Sequence, residues 1–243
     1  MRENYTLIRL YVTGNLTETA ELSLPKEQAH YLGTVLRKKT GDKLRVFNGD
    51  NGEWQAEITE LTRKSADIKI MARLRAPKSC PDIWLLFTPL RKHRTAFIFE
   101  KATELGVAEF HPVLTEHTQF PKINPDKARL QIIEAAEQTE RLDIPTLISP
   151  TKLTQRLSDW PKDRRLFFAD ESGGGAEAHD TLANTDGPAA LLIGPEGGFS
   201  STEREQLLSY EFVTPISLGP RILRADTAAL SLLTLWQSAK GDW

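Results

Sequence analysis

The sequence predicts an α/β protein in two parts: a small β-rich, barrel-like module over residues 1–75 and a parallel-sheet domain over residues 82–243. Three observations carry that expectation. Short strand-like runs separated by turn residues crowd the first 75 positions, as in small all-β modules. Residues 76–81, Ala76-Pro77-Lys78-Ser79-Cys80-Pro81, contain two prolines and no apolar periodicity, the composition of a linker. Beyond them, short apolar runs alternate with helical periodicity, the pattern of parallel strands covered by helices on both faces.

Within the first part, residues 7–12 form a strand candidate. Residues 44–47 and 54–61 flank the turn-rich Asn48-Gly49-Asp50-Asn51-Gly52, a hairpin with a longer loop. Residues 67–72 add a further short strand. Pro25 can open a helix that carries Ala29, Leu32, Val35 and Leu36 on one face. In the second part, strands are expected at 83–87, 109–114, 166–169, 189–193 and 212–218. A helix ends before Gly106, and further helices cover 126–141 (with Leu130, Ile133 and Ala136-Glu137 at the spacing of one face), 201–210 and 224–239. Residues 171–175, Glu171-Ser172-Gly173-Gly174-Gly175, read as a mobile loop.

Composition excludes several classes. No apolar run approaches the roughly 20 residues of a membrane span, and the first residues hold no continuous apolar segment, so neither a membrane anchor nor a secretory signal is expected. The simplest compartment is then the cytoplasm. A lone Cys80 offers neither an internal disulfide nor a metal-ligand spacing. The formal charge of −2 is unevenly spread: residues 1–75 carry 13 Lys and Arg against 10 Asp and Glu, and the remainder 18 against 23. A polyanion, if one is bound, would meet the first part.

Ligands of open parallel sheets bind beyond the carboxyl ends of the strands. Gly194-Pro195-Glu196-Gly197-Gly198 lies there, directly after the strand 189–193 and before a helix that Ser200 can cap, with Glu203 completing a capping box. A phosphate-cradling loop requires Gly-Lys-Ser/Thr where Phe199 and Ser200 follow, and a dinucleotide fingerprint requires a glycine spacing that 194, 197 and 198 do not supply. Leu218-Gly219-Pro220-Arg221-Ile222-Leu223-Arg224 is a second Gly-Pro bend after a strand. On adjacent strands the two bends would form one pocket of backbone amides with Ile193, Leu218, Ile222 and Leu223. Such a pocket suits an adenine ring, and Arg221 and Arg224 would stand at its rim.

LLIGPEGGFSSTE followed by SLGPRILRADTAAL resembles the C-terminal signature of the SPOUT methyltransferases, and more closely that of the RsmE family, bacterial small-subunit ribosomal RNA uracil-N3-methyltransferases. KATELGV at 101–107, EAAEQTERLDIP at 134–145 and H-x-x-x-x-V-L-R at 30–37 are similar to further stretches of that family, in collinear order. Arg91-Lys92-His93-Arg94 matches its basic stretch more loosely, and Glu140 stands where a glycine is common.

The resemblance implies a SPOUT-type C-terminal domain with a deep trefoil knot, a PUA-like β-barrel in front, a homodimer, and methyl transfer from S-adenosylmethionine to uracil N3 in 16S ribosomal RNA of the small subunit. Cofactor residues are then expected at Ile193, Gly194, Glu196, Gly197, Gly198, Leu218, Gly219, Ile222 and Leu223. Glu196 is expected to accept backbone hydrogen bonds and hold its loop in shape. RNA-binding residues are expected at Arg9, Arg37, Lys38, Arg91 and Arg94. The sulfonium is already a strong electrophile, so no metal is expected. Arg221 and Arg224 are the catalytic candidates, stabilising charge that develops on the uracil carbonyls, and His30, His93 and His111 are assigned no role as base. Two other readings stay open: a non-catalytic ribosomal RNA-binding or ribosome-assembly factor, and a SPOUT methyltransferase acting on another RNA.

Overall fold

Two sheets organise the chain in the computed structural model, which describes residues 6–243. The chain divides into one unit ending at Ser79 but joined by Ala136–Ile144, and a second formed by Cys80–Ala135 and Pro145–Trp243. The return of residues 136–144 to the first unit has no sequence signature, because it depends on long-range contacts.

The first unit contains β1 (Arg9–Tyr11), β2 (Glu21–Leu24), α1 (Lys26–His30), a π-turn (Tyr31–Val35), β3 (Lys43–Asn48), β4 (Gly52–Leu61) and β5 (Ala66–Arg75). The strand order is β1-β3-β4-β5-β2, with β1 parallel to β3 and the other pairs antiparallel. Leu10 and Val12 at one edge and Leu24 at the other share one core with Val46, Ile58, Ile68 and Ile70, so the sheet curls around a single apolar centre. The expected helical face holds at Ala29 and Leu32, both fully buried, but Val35 is 58% exposed. The Leu36 amide bonds the carbonyl of Tyr31, and this wider turn rotates Val35 off the face.

Arg9, expected among the exposed RNA-facing cations, is instead buried. Its Nε lies 2.5 Å from Glu53 Oε1, its guanidinium covers the Phe47 ring at 3.7 Å, and it donates to the carbonyls of Ala136 and Arg141. Arg75 grips the same Glu53 carboxylate at 2.9 and 3.0 Å. Arg45 holds Glu140 through two bonds of 2.7 Å, and Arg75 adds a third at 3.0 Å. Glu140 has φ 62°, the left-handed conformation a glycine would adopt without cost; its carboxylate is anchored by the two arginines, which offsets that strain. Burial opposes ionisation of Glu53, but hydrogen bonds from Arg75 and Arg9 prevail and hold its pKa below the ordinary glutamate value.

The second unit contains β6 (Ile83–Phe87), α2 (Lys92–Glu104), β7 (Glu109–Leu114), α3 (Pro125–Gln138), β8 (Thr146–Leu147), β9 (Thr151–Lys152), α4 (Leu153–Ser158), β10 (Arg165–Ala169), β11 (Ala176–Glu177), α5 (Ala178–Ala183), β12 (Ala189–Ile193), α6 (Ser201–Ser209), β13 (Val213–Ser217) and α7 (Ala225–Lys240). Its strands pair in parallel in the order β11-β13-β10-β12-β6-β7-β8, with β9 also on β7. One face buries Leu86, Phe168, Ala190 and Leu192 against Leu153 and Leu157 of α4 and Leu207 of α6. On the other side α7 packs against α2, α5 and β12, burying Ala229, Leu232, Leu233 and Trp236. Burial on both faces explains why these strands read as continuous apolar runs rather than alternations. The inward residues of α3 are Ala128, Ile132, Ala135 and Ala136; of the positions expected inward, Ala136 is fully buried and Ile133 half-buried, but Leu130 is 66% exposed. The helix is rotated relative to its most apolar stripe, and small alanines line its contact side.

Glu53→Gln leaves buried arginines without their counter-charge and is expected to cost about 3–5 kcal/mol in urea denaturation at neutral pH. Because the folded pKa of Glu53 is depressed, its stabilisation is complete above the ordinary value of 4.5 and is lost as pH falls through the lower folded value. The wild-type advantage over Glu53→Gln should therefore shrink on acidification and not on raising the pH.

Candidate functional site

Strand order decides the site. The two Gly-Pro bends do not lie on adjacent strands, because β10 stands between β12 and β13. The loop after β10 therefore joins them, and three loops at the carboxyl ends of β10, β12 and β13 enclose a cavity of about 820 Å³. Asp170, Glu171, Ser172 and Gly173 line it, so the stretch read from composition as a mobile loop forms a wall of the site.

The loop after β12 is shaped by close approaches. A Cβ on Gly194 would stand 2.9 Å from the Phe199 ring. Gly198 has φ 68°, its amide donates to the Pro195 carbonyl at 2.9 Å, and a Cβ there would collide with the Glu171 carboxylate. Ile193, Gly194, Pro195, Glu196 and Gly198 line the cavity; Gly197, expected with them, does not. Its α-carbon is turned to His117, whose Nδ1 lies 3.1 and 3.0 Å from the carbonyl oxygens of Gly197 and Gly198. The capping box forms: the Glu203 amide donates to Ser200 Oγ at 3.3 Å and the Ser200 amide to Glu203 Oε2 at 3.1 Å. Glu203 Oε1 also accepts from the Glu116 amide at 2.8 Å, tying the loop after β7 to the start of α6.

The remaining walls come from β13 and its neighbours. Leu218, Gly219, Ile222 and Leu223 line the cavity with Ala225 and Ala228 of α7, while Arg221 and Arg224 stand exposed at its rim, Arg224 at the N-cap of α7. Ile222 is 85% exposed. Asp170 accepts from the Ser172 amide and hydroxyl and is gripped by Arg204 at 2.8 Å. Burial pushes the Asp170 pKa up, but the bonds from Arg204 and Ser172 more than reverse this, leaving it below the ordinary value.

Among the described residues Glu196 accepts no backbone hydrogen bond, contrary to expectation; it is exposed and pairs with Arg94 at 3.4 Å, a cation that local sequence does not reveal as its partner. Arg94, expected to meet RNA, also pairs with Asp226 in the first turn of α7 at 3.3 Å, and so links two walls of the cavity. Arg91 and Arg37 are exposed and Lys38 is half-buried. His111 is buried and stacked on Trp84 at 4.4 Å, its pKa pushed down to about 3 by burial and then by Arg156 and Arg164; it is absent from the cavity wall. The His117 contact with the Gly197-Gly198 loop has no sequence signal, since it spans 80 residues. Among the described residues, the cavity gathers no cluster of metal-ligating side chains; the one such group, Glu177, His179 and Asp180, is exposed at α5 outside the cavity lining.

Residues 77–237 match the RNA methyltransferase domain family, and residues 24–71 match the RNA methyltransferase PUA domain. The chain is 31% identical over 230 residues to the ribosomal RNA small subunit methyltransferase E of Rickettsia conorii, with 93% of each chain covered. A Legionella pneumophila protein described as a methyltransferase and solved with the cofactor S-adenosylmethionine is 34% identical, with a TM-score of 0.87 over 98% of this chain and 99% of that one. A ribosomal RNA small subunit methyltransferase E of Neisseria gonorrhoeae, bound to S-adenosylmethionine, is 25% identical, with a TM-score of 0.84 over 98% and 99%.

Ser200→Ala removes one half of the α6 cap and is expected to cost about 1 kcal/mol in thermal or urea denaturation. Glu203→Ala should cost more than Ser200→Ala, because it also releases the Glu116 amide; an equal or smaller loss would show that this tie contributes nothing.

Proposed function

We propose that this chain, which belongs to the family of ribosomal RNA small subunit methyltransferases E, transfers a methyl group from S-adenosylmethionine to N3 of a uracil in 16S ribosomal RNA. The observation that carries the cofactor assignment is the three-loop cavity. Its size falls within the range of small-molecule sites, and its apolar lining from Ile193, Leu218 and Leu223 suits an adenine ring. At Gly194 and Gly198 the backbone has no room for a Cβ, because the Phe199 ring and the Glu171 carboxylate pack against it, and this fixes the loop at the cavity wall. Both solved relatives described above hold S-adenosylmethionine, which agrees with this fit.

When bound, S-adenosylmethionine supplies an electrophilic methyl group. The protein's part is to bind, to orient and to stabilise charge. Uracil N3 is nucleophilic after losing its proton to water, and the negative charge then spreads over the two flanking carbonyl oxygens. Arg221 and Arg224, exposed at the rim, are the residues we assign to that charge. Their position agrees with a substrate that approaches from solvent. Arg94, paired with Glu196 and Asp226, we assign to positioning rather than to RNA contact. The first unit would hold the RNA, with Arg37 and Lys38 beyond the π-turn as contacts, and Arg91 would add a contact from the second. The trefoil knot and the homodimer belong to the same proposal.

Mass-spectrometric mapping of small-subunit ribosomal RNA from cells with and without the gene tests the reaction. Loss of one N3-methyluridine is expected, and an unchanged pattern would overturn it. Gly198→Val should abolish S-adenosylmethionine binding in calorimetry while preserving the circular dichroism of the fold. Arg224→Ala should lower turnover by roughly 10- to 100-fold with little change in cofactor affinity. An equal loss in both would make Arg224 a cofactor clamp instead.

A further inference from the structure

Three carboxylates stand in the cavity wall: Asp170, Glu171 and Glu196. Asp170 is held by Arg204 at 2.8 Å, and Glu196 by Arg94 at 3.4 Å. Glu171 is exposed at the cavity mouth and forms neither an ion pair nor a hydrogen bond among the described residues. Its carboxylate lies against Gly198, occupying the space a Cβ would take there. The neighbouring arginines are either committed, as Arg204 and Arg94 are, or placed on the loop after β13, as Arg221 and Arg224 are. The site therefore presents one carboxylate with no cationic partner among the described residues, packed on Gly198, in the same concave lining as the exposed Arg221 and Arg224. Charges facing one another in such a recess attract more strongly than in open water.

We propose that Glu171 supplies the counter-charge for the positive end of the methyl donor. This rests on the reading that the cavity takes S-adenosylmethionine. The donor carries positive charge at its sulfonium and at its α-ammonium group, whereas the product S-adenosylhomocysteine keeps only the ammonium. Glu171 would thus bind the cofactor's charged end, and at the sulfonium it would also favour the donor over the spent product. Arg221 and Arg224, without an ion-pair partner among the described residues, are left to the negative charge that develops on the acceptor, so the two halves of the reaction meet opposite charges on different loops.

Calorimetric affinities of the wild type, Glu171→Gln and Glu171→Asp for S-adenosylmethionine and S-adenosylhomocysteine test this. Glu171→Gln keeps the shape and removes the charge, and is expected to weaken donor binding about tenfold; Glu171→Asp, which keeps the charge, should recover part of the loss. A loss for the donor alone places the carboxylate at the sulfonium, and a matching loss for both ligands places it at the ammonium. Any other pattern, including affinities within about twofold of wild type for both, overturns the proposal. A wild type that binds neither ligand would overturn the cofactor assignment itself, a result distinct from a wild type that binds and a Glu171→Gln variant that binds equally well.

Discussion

The cavity exists because β10 lies between β12 and β13 in a sheet whose strands all pair in parallel. Parallel strands end on the same side, so the chain leaving each of the three must turn at one edge of the sheet. The loop leaving β12 leads on toward β13 across β10, and the loop leaving β10 leads to β11 beyond β13. The crevice lies among the loops at these carboxyl ends, where ligands of open parallel sheets bind. Every feature of the candidate site follows from that order. The Gly-Pro bends at 194–195 and 219–220 become opposite walls, and the loop 170–173 becomes the wall between them.

The walls are then held by charge pairs, whose members Asp170, Arg204 and Glu196 themselves line the cavity. Arg204 fixes Asp170 at the root of the loop after β10, and Arg94 reaches both Glu196 and Asp226. Glu203 serves twice, capping α6 and receiving the Glu116 amide. Each pair joins segments far apart in sequence, so the loops are set by neighbours rather than by their own preferences. This fits a site that must present backbone groups to a ligand in fixed directions. It also separates the exposed charges at the mouth, Arg221, Arg224 and Glu171, from those spent on structure.

A different balance governs the first unit. Its apolar core is small, and three arginines and two glutamates are placed beside it, around Glu53 and Glu140. Burying such charges is costly, and the arrangement is tolerable because each guanidinium is met by carboxylate or carbonyl oxygen. The network captures residues 136–144, and it holds Glu140 in a backbone conformation that a glutamate adopts only at a cost.

Local properties of the chain determined a good part of this protein. The apolar runs at 83–87, 109–114 and 189–193 became strands with those bounds, the capping residues Ser200 and Glu203 formed their box, and the two Gly-Pro bends line the cavity. These are legible because periodicity, capping and turn chemistry act between residues a few positions apart. Tertiary structure alone decided the rest. It put β10 between the two bends, turned Gly197 to His117, sent Glu196 to Arg94 and buried Arg9 on Glu53. A charged or glycine residue carries no local mark of its partner, because the partner is chosen by strand order and by contacts tens of residues away. The sequence thus determined which segments could form the site, and the packing of the sheet determined which side chains face it.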